Sequence, residues 1–232
     1  MTCPMLNKPL TRELYESSIV SHYRTAGGTR PDLCEVRTDG NTIVVKDFKR
    51  SDPLFRFIVG PILIRREFGA LRSLKGVTGV PELVCKIDRY AVAMQHVPGT
   101  RVDQIDSALL DEKFYENLLG VIDEMHSRGV AHCDLRSRGN IMRGEDGTPY
   151  VVDYAACVYR GRGLNPLTRW LFGQFVLADR NAVLLMKRRH SPDLLTDADK
   201  AELARELPFE RPARFIGENV RKLTRKLLTR GS

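Results

Sequence analysis

No stretch of this 232-residue chain stays apolar for the roughly 20 residues that a membrane-spanning helix needs, which excludes a helical membrane architecture. Cysteine is sparse and scattered: Cys3, Cys34, Cys85, Cys133 and Cys157 are odd in number and form no Cys-x-x-Cys pair. That excludes a zinc knuckle or a dithiol redox centre and leaves reduced cytosolic thiols as the plain reading. The start of the chain shows no secretory signature, because Asn7, Lys8, Arg12 and Glu13 interrupt any apolar run after Met1. A cytoplasmic location is expected, with any membrane contact peripheral. Internal repeats, long low-complexity linkers and a Gly-x-Gly-x-x-Gly motif are all missing. Acidic residues are scarce in one place: residues 211–232 hold seven Lys and Arg against Glu218 alone, and so carry +6 of the net charge of +8. The rest of the chain is nearly neutral, which argues against nucleic acid as a partner.

What is present begins with 42% hydrophobic residues, enough to bury the core of one large domain or two small lobes. Leu10 to Arg24 reads as a short helix or strand and leads into the turn-rich Thr25 to Pro31. Leu33 to Arg37 and Thr42 to Phe48 are β-branched runs on either side of Asp39-Gly40, a hairpin signal that sets Lys46 on a strand. Leu63, Ile64, Phe68, Leu71 and Leu74 recur at helical spacing, so Pro61 to Leu74 is an amphipathic helix. Leu83 to Ile87 and Tyr90 to Val97 read as strands, the second broken by Pro98-Gly99. Leu109 to Arg128 is the clearest helix, with Phe114, Leu118, Val121, Ile122 and Met125 on one face and Gly129 as its stop. Beyond Asp153 the chain reads as helical over Pro166 to Lys187, Asp197 to Glu206 and Ala213 to Leu228.

The chemistry is concentrated between Gly129 and Tyr154. In Gly129-Val-Ala-His-Cys-Asp-Leu-Arg-Ser-Arg-Gly-Asn-Ile-Met142 and Val151-Val-Asp-Tyr154, two aspartates and an asparagine fall on adjacent loops that follow apolar, strand-like runs. This suits phosphoryl transfer, which needs a cation for the phosphates, hard oxygen ligands for magnesium and a carboxylate near the acceptor hydroxyl. The segment resembles the protein-kinase-like superfamily, whose catalytic loop reads His-x-Asp-Leu-x-x-x-Asn and whose metal loop reads Asp-Phe-Gly. His132, Asp134 and Asn140, then Asp153-Tyr154-Ala155, stand at these positions. Asn140 lies one residue further from Asp134 than usual, and Ala155 replaces the glycine. Asp-Leu-Arg-x-Arg followed by Asn-Ile is most similar to the small kinases grouped with lipopolysaccharide core kinases and RIO-type kinases.

The resemblance implies an α+β, two-lobed protein-kinase-like fold: a small antiparallel sheet lobe with one helix, residues 1–97, and a mainly helical C-terminal lobe, residues 98–232, ending in a basic helix over 211–230. It implies ATP and magnesium as cofactors. Ile43-Val44-Val45-Lys46 resembles the Val-Ala-Ile-Lys strand, which makes Lys46 the ligand of the α- and β-phosphates. Glu67, the only acid between Asp52 and Glu82, is its expected ion-pair partner, although a surface helix would carry such a residue too. Asp134 is the expected base or acceptor-orienting carboxylate, Arg136 and Arg138 the cations facing the transferred phosphate, and Asn140 and Asp153 the magnesium ligands. Gln95-His96-Val97 is the expected adenine hinge, with Gln95 and Val97 as its contacts. Gly27 and Gly28 are either a phosphate-covering turn or an ordinary one. His132 is expected to brace the loop rather than catalyse, His126 to pack in the core, and Cys133 to fill space.

The expected activity is transfer of the ATP γ-phosphate to a hydroxyl, foremost on a sugar of a lipid-linked glycan such as the lipopolysaccharide core. A RIO-like serine/threonine protein kinase is the alternative, and a non-catalytic nucleotide-binding scaffold the second. The missing Ala-Pro-Glu segment after Asp153 tilts toward a non-peptide or atypical protein acceptor. In the tail, Ile216, Val220, Leu223 and Leu227 form an apolar stripe among basic residues, which either lies on an anionic membrane or packs on the large lobe.

Overall fold

Asp39 and Gly40 both take positive φ angles, 50° and 76°, which is the backbone a tight hairpin turn requires and the reason aspartate and glycine occupy it. The turn joins β2 to β3 in the computed structural model, which describes residues 6, 8–137, 139–161 and 166–204. The N-terminal stretch contains both a helix and a strand: α1 (Arg12–Ser17), capped by the Thr11 hydroxyl, and β1 (Ile19–Arg24). Then follow β2 (Asp32–Thr38), β3 (Asn41–Asp47), α2 (Gly60–Ser73), β4 (Leu83–Lys86) and β5 (Ala91–Gln95). The strands form one antiparallel sheet in the order β1-β2-β3-β5-β4. Arg12 fastens α1 to this sheet through Asp47 at 2.7 Å and Asp88 at 2.6 Å.

A π-helical turn, Phe55–Val59, winds directly into α2, so helical backbone begins before the predicted start at Pro61. The Phe48 ring stacks at an angle on Phe55, 5.6 Å between centroids, and a Cβ on Gly60 would sit 3.0 Å from the Phe48 Cβ. A side chain at residue 60 would press on Phe48, so glycine eases the close approach of the helix to the end of β3. Within α2, Ile64, Glu67, Ala70 and Leu71 are buried. Glu67 therefore lies on the face that packs against the sheet, not on the surface.

Past β5 the chain enters a second region through β6 (Gly99–Arg101) and α3 (Glu112–Ser127). The Asp111 carboxylate caps α3 by accepting from the Phe114 N–H at 2.8 Å, and Gly129, at φ 77°, ends it as the left-handed residue such a terminus favours. Short strands follow: β7 (Val130–Ala131), β8 (Ile141–Gly144), β9 (Pro149–Val151) and β10 (Val158–Tyr159). β7 pairs with β10, and β6-β8-β9 form a three-stranded sheet. These short sheets sit within the mainly helical region; strands of two to four residues leave no period-2 signal in the sequence. α4 (Pro166–His190) and α5 (Asp197–Ala204) complete the described chain. The predicted helix over Ala213 to Leu228, and with it the basic segment 211–230, lies outside the described residues.

One core joins the two regions. Ile64, Leu71 and Val92 from the sheet side share it with Leu118, Ile122 and Met125 of α3 and Val183 of α4. Tyr154, fully buried, donates its hydroxyl to the Val151 carbonyl at 3.1 Å and meets the His132 ring edge-on at 5.1 Å. The loops carrying Asp134 and Asp153 are thus anchored in the same packed interior.

Candidate active site

Lys46 reaches its position because β3 is the central strand of the sheet, with Leu33 of β2 and Val92 of β5 on either side. Lys46 is 3% exposed, and its ammonium donates to both Glu67 oxygens, at 2.9 and 2.7 Å, and to Asp153 Oδ1 at 2.8 Å. Burial works against the ammonium, but Glu67 and Asp153 outweigh it and hold the Lys46 pKa above its ordinary value. Lys46 in turn holds Asp153 below the usual carboxylate range. Glu67, 1% exposed, is pushed up by burial against the opposing pull of Lys46. This chain of charges ties strand, helix and loop together, and it places one cation beside a carboxylate that keeps 39% of its side chain exposed to the cleft.

The cleft has a volume of 640 Å³ and is lined by Val44, Lys46, Met94, Asp134, Asn140 and Asp153 among others. Asn140 Nδ2 donates to the Asp134 carbonyl at 2.9 Å and to its Oδ2 at 3.0 Å, so the asparagine both closes the loop and orients the carboxylate. The extra residue between them is absorbed in a turn in which Ser137 N–H donates to the Asp134 carbonyl and Asn140 N–H to the Ser137 carbonyl. With its amide nitrogen engaged by Asp134, Asn140 keeps a carbonyl oxygen to offer. Together with the Asp153 carboxylate it makes a two-oxygen donor set, which fits magnesium: that ion keeps most of its waters and takes one or two protein oxygens plus substrate phosphates. Among the described residues no three His, Cys, Asp or Glu side chains gather into a metal cage.

The loop backbone is held in an uncommon shape. Cys133 and Asp153 take φ angles of 68° and 67°, left-handed values that non-glycine residues adopt at a cost. Asp179, on α4 and 1% exposed, supplies the compensation by accepting from the His132 N–H at 2.7 Å, the Cys133 N–H at 2.8 Å and His126 Nε2 at 3.0 Å. His132 adds a brace: its Nε2 lies 3.0 Å from the Val152 carbonyl, and its Nδ1 accepts from the Asp134 N–H at 3.3 Å. Both contacts require the neutral Nε2–H ring, consistent with burial lowering the His132 pKa. Burial raises the Cys133 thiol pKa, which works against a reactive thiolate there. Sequence reasoning missed Asp179; the signal available was a single acid within the apolar run Phe175 to Leu185.

Other predicted residues fall differently. Gln95 and Val97 line the cleft, but the Gln95 N–H donates to the Glu82 carbonyl at 2.8 Å and its Oε1 accepts from the Glu82 N–H at 3.1 Å. Gln95 is thereby committed to holding β4. Gly27 and Gly28 do not line the cleft; Gly27 and Arg30 form a bridge, the Gly28 carbonyl accepts from Asp52, and Tyr23 and Arg24 of β1 line the cleft instead. Arg136 also turns away. Its guanidinium donates to Asn181 Oδ1 at 3.1 Å, and it lines a separate cavity. Arg138 lies outside the described residues.

A RIO domain profile matches residues 45–167, a span that starts one residue before Lys46 and includes Glu67, Asp134, Asn140 and Asp153. The chain belongs to the RIO domain family. Its fold is also that of Rio2 kinase from Chaetomium thermophilum: the structure of that protein's ADP/Mg2+-phosphoaspartate complex gives a TM-score of 0.58 at 15% identity, covering 90% of this chain and 72% of that one. A second Rio2 structure from the same organism gives 0.57 at 16%, covering 89% and 74%. At such identity the likeness carries the fold alone: α+β, with an antiparallel sheet lobe and helices. Among curated proteins, CBL-interacting serine/threonine-protein kinase 20 of Arabidopsis thaliana is 30% identical over 104 residues, 42% of this chain and 24% of that protein. CBL-interacting protein kinase 5 of Oryza sativa subsp. japonica is 27% identical over 104 residues, covering 42% and 22%. The chain thus spans about a quarter of the length of the curated relatives it matches. The family match falls on the RIO side of the resemblance read from the catalytic loop. Among the described residues, no helix is long and apolar enough to cross a membrane.

Proposed function

We propose that this RIO-domain chain is an ATP- and magnesium-dependent kinase that transfers the γ-phosphate to a hydroxyl, and that the acceptor is a serine or threonine of a protein. The observation that carries the reading is the Lys46–Glu67–Asp153 chain of contacts, all at 2.7–2.9 Å, opening into the cleft that also holds Asp134 and Asn140. Its family, its Rio2-like fold and its similarity to serine/threonine kinases support it.

The residues divide the work. Lys46, fixed by Glu67, presents a permanent cation to the α- and β-phosphates. Asp153 and Asn140 would hold magnesium, which supplies charge neutralisation on the phosphate oxygens. Asp134, oriented by Asn140, accepts the proton of the incoming hydroxyl. Apolar side chains such as Val44 and Met94 flank the adenine, with Val97 at the hinge. A lipid-linked glycan acceptor keeps one point in its favour: the sequence after Asp153 contains no Ala-Pro-Glu segment.

The test is transfer from γ-labelled ATP to purified protein acceptors and, in parallel, to core glycolipid, by the wild type and by Lys46→Ala. Label on protein, lost in the variant, is the expected result. Label confined to glycolipid would refute the protein acceptor, and no label on either would refute the kinase reading.

A further inference from the structure

A second cavity, of 540 Å³, lies beside the cleft and shares Asp103 and Ser137 with it as lining residues. One of its walls is the catalytic loop itself, through Leu135, Arg136 and Ser137, and the opposite wall is the C-terminal part of α4. A group seated in it would lie within a few residues of the acceptor hydroxyl that Asp134 serves. Nothing in the nucleotide chemistry uses this space.

Its chemistry is of two kinds. The floor is aliphatic, with Val102, Ile141, Ala182 and Met186 among its residues. The rim is cationic: Arg136, Arg188 and Arg189, with His190 beside them. Asp103, the only acid in the lining among the described residues, is already matched by Arg101, Nη2 to Oδ2 at 2.8 Å. The pairing pattern along α4 is informative. Arg180 and Lys187, which do not line the cavity, bind Asp123 at 2.8 Å and Asp199 at 3.0 Å. Arg188 and Arg189 are exposed, and among the described residues neither has an ion-pair partner. Arginine's fixed donor fork fits carboxylate and phosphate groups two bonds at a time.

We propose that this cavity is the acceptor-binding subsite and that it selects polypeptide segments in which an acidic or phosphorylated residue, next to an aliphatic one, flanks the acceptor serine or threonine. The inference rests on the kinase reading above and adds the class of protein it acts on. A peptide is favoured over an anionic glycan because, among the described residues, the lining contains no aromatic side chain on which a sugar face could stack, while its aliphatic floor suits a leucine or isoleucine side chain.

The experiment uses the full chain with MgATP and three matched serine peptides whose flanking positions are Leu-Glu, Leu-Gln or Leu-Lys, and repeats the series with Arg188→Glu/Arg189→Glu. The acidic peptide should show a KM at least tenfold below the neutral one, and the basic peptide should be the poorest. The double variant should reverse that order. Arg180→Ala, on the same helix but outside the cavity, should keep the wild-type order. Equal KM values for the three peptides, an order unchanged in the double variant, or an anionic glycan preferred over every peptide would each overturn the subsite. If no acceptor is labelled at all, the kinase reading has failed; fluorescence anisotropy of the labelled acidic peptide then still decides the cavity, since binding lost in Arg188→Glu/Arg189→Glu supports it and binding unchanged by that variant refutes it.

Discussion

In the interlobe cleft Lys46 is 3% exposed and wedged between two carboxylates, whereas across Ser137 the neighbouring cavity presents Arg188 and Arg189 with no acid paired to either among the described residues. The first arrangement is closed and matched: each charge is there because another demands it. The second is open and unmatched, and awaits charge from outside the molecule. On the kinase reading proposed above, the difference separates two tasks. Nucleotide chemistry is identical for every acceptor and can be frozen into the core. Acceptor choice must differ from one enzyme to the next, and it sits where substitutions cost the fold little.

The contrast can be broken hardest at Lys46. Lys46→Ala should abolish transfer by about 10²–10³-fold and also destabilise the protein by about 3 kcal/mol, because Glu67 is left buried without its partner. Removing both charges, as Lys46→Met with Glu67→Leu, should restore most of the stability in denaturant titrations and none of the activity. Survival of full stability in Lys46→Ala alone would mean the cleft charges are not coupled as described.

Asp179→Ala comes next. It leaves the His132 and Cys133 N–H groups without their acceptor in a buried setting, at about 1–3 kcal/mol for each unsatisfied group. Amide exchange at residues 132 and 133 should accelerate, and kcat should fall with a smaller change in the KM for ATP. Slow exchange retained at both amides would remove Asp179 from its positioning role.

Reversing Arg188 and Arg189 should do the opposite of the Lys46 change, leaving the unfolding free energy within about 0.5 kcal/mol of wild type while acceptor preference shifts. A large loss of stability would show that these arginines serve the fold.

The smallest effect concerns pH. Burial holds the folded His132 pKa below its ordinary value, so below about pH 6.5 the unfolded chain takes up a proton that the folded one refuses. Stability is therefore complete above that pH and declines as pH falls toward the folded value, by at most ~1.4 kcal/mol per pH unit for one group. His132→Gln should show a shallower decline between pH 7 and 5 in thermal melts, and an unchanged slope would contradict the assignment.

Much of this was legible in the chain itself. The Asp39-Gly40 turn, the stripe of α2 and the run of α3 into Gly129 are local signals, and each leads to one of the charged residues of the cleft. Glu67 was identifiable as the only acid between Asp52 and Glu82, on the helix that follows the lysine strand, but its burial was not. What could not be read is set by long-range packing. The N–H of Gln95 is taken by β4, the tip of the first hairpin holds Gly27 and Gly28 away from the cleft while Tyr23 and Arg24 face it, and Arg136 is drawn to Asn181, 45 residues further along. The same holds for the arginine-rimmed cavity: Arg188 and Arg189 look like ordinary surface cations until α4 lies against the loop that carries Arg136.

The most direct test of the central claim is a single-turnover measurement with Asp134→Asn, paired with titration of its MgATP affinity. The account predicts nucleotide binding within about twofold of wild type and a transfer rate lower by about 10²–10⁴-fold, the range for losing a positioned proton acceptor. Transfer at the wild-type rate by Asp134→Asn would contradict it.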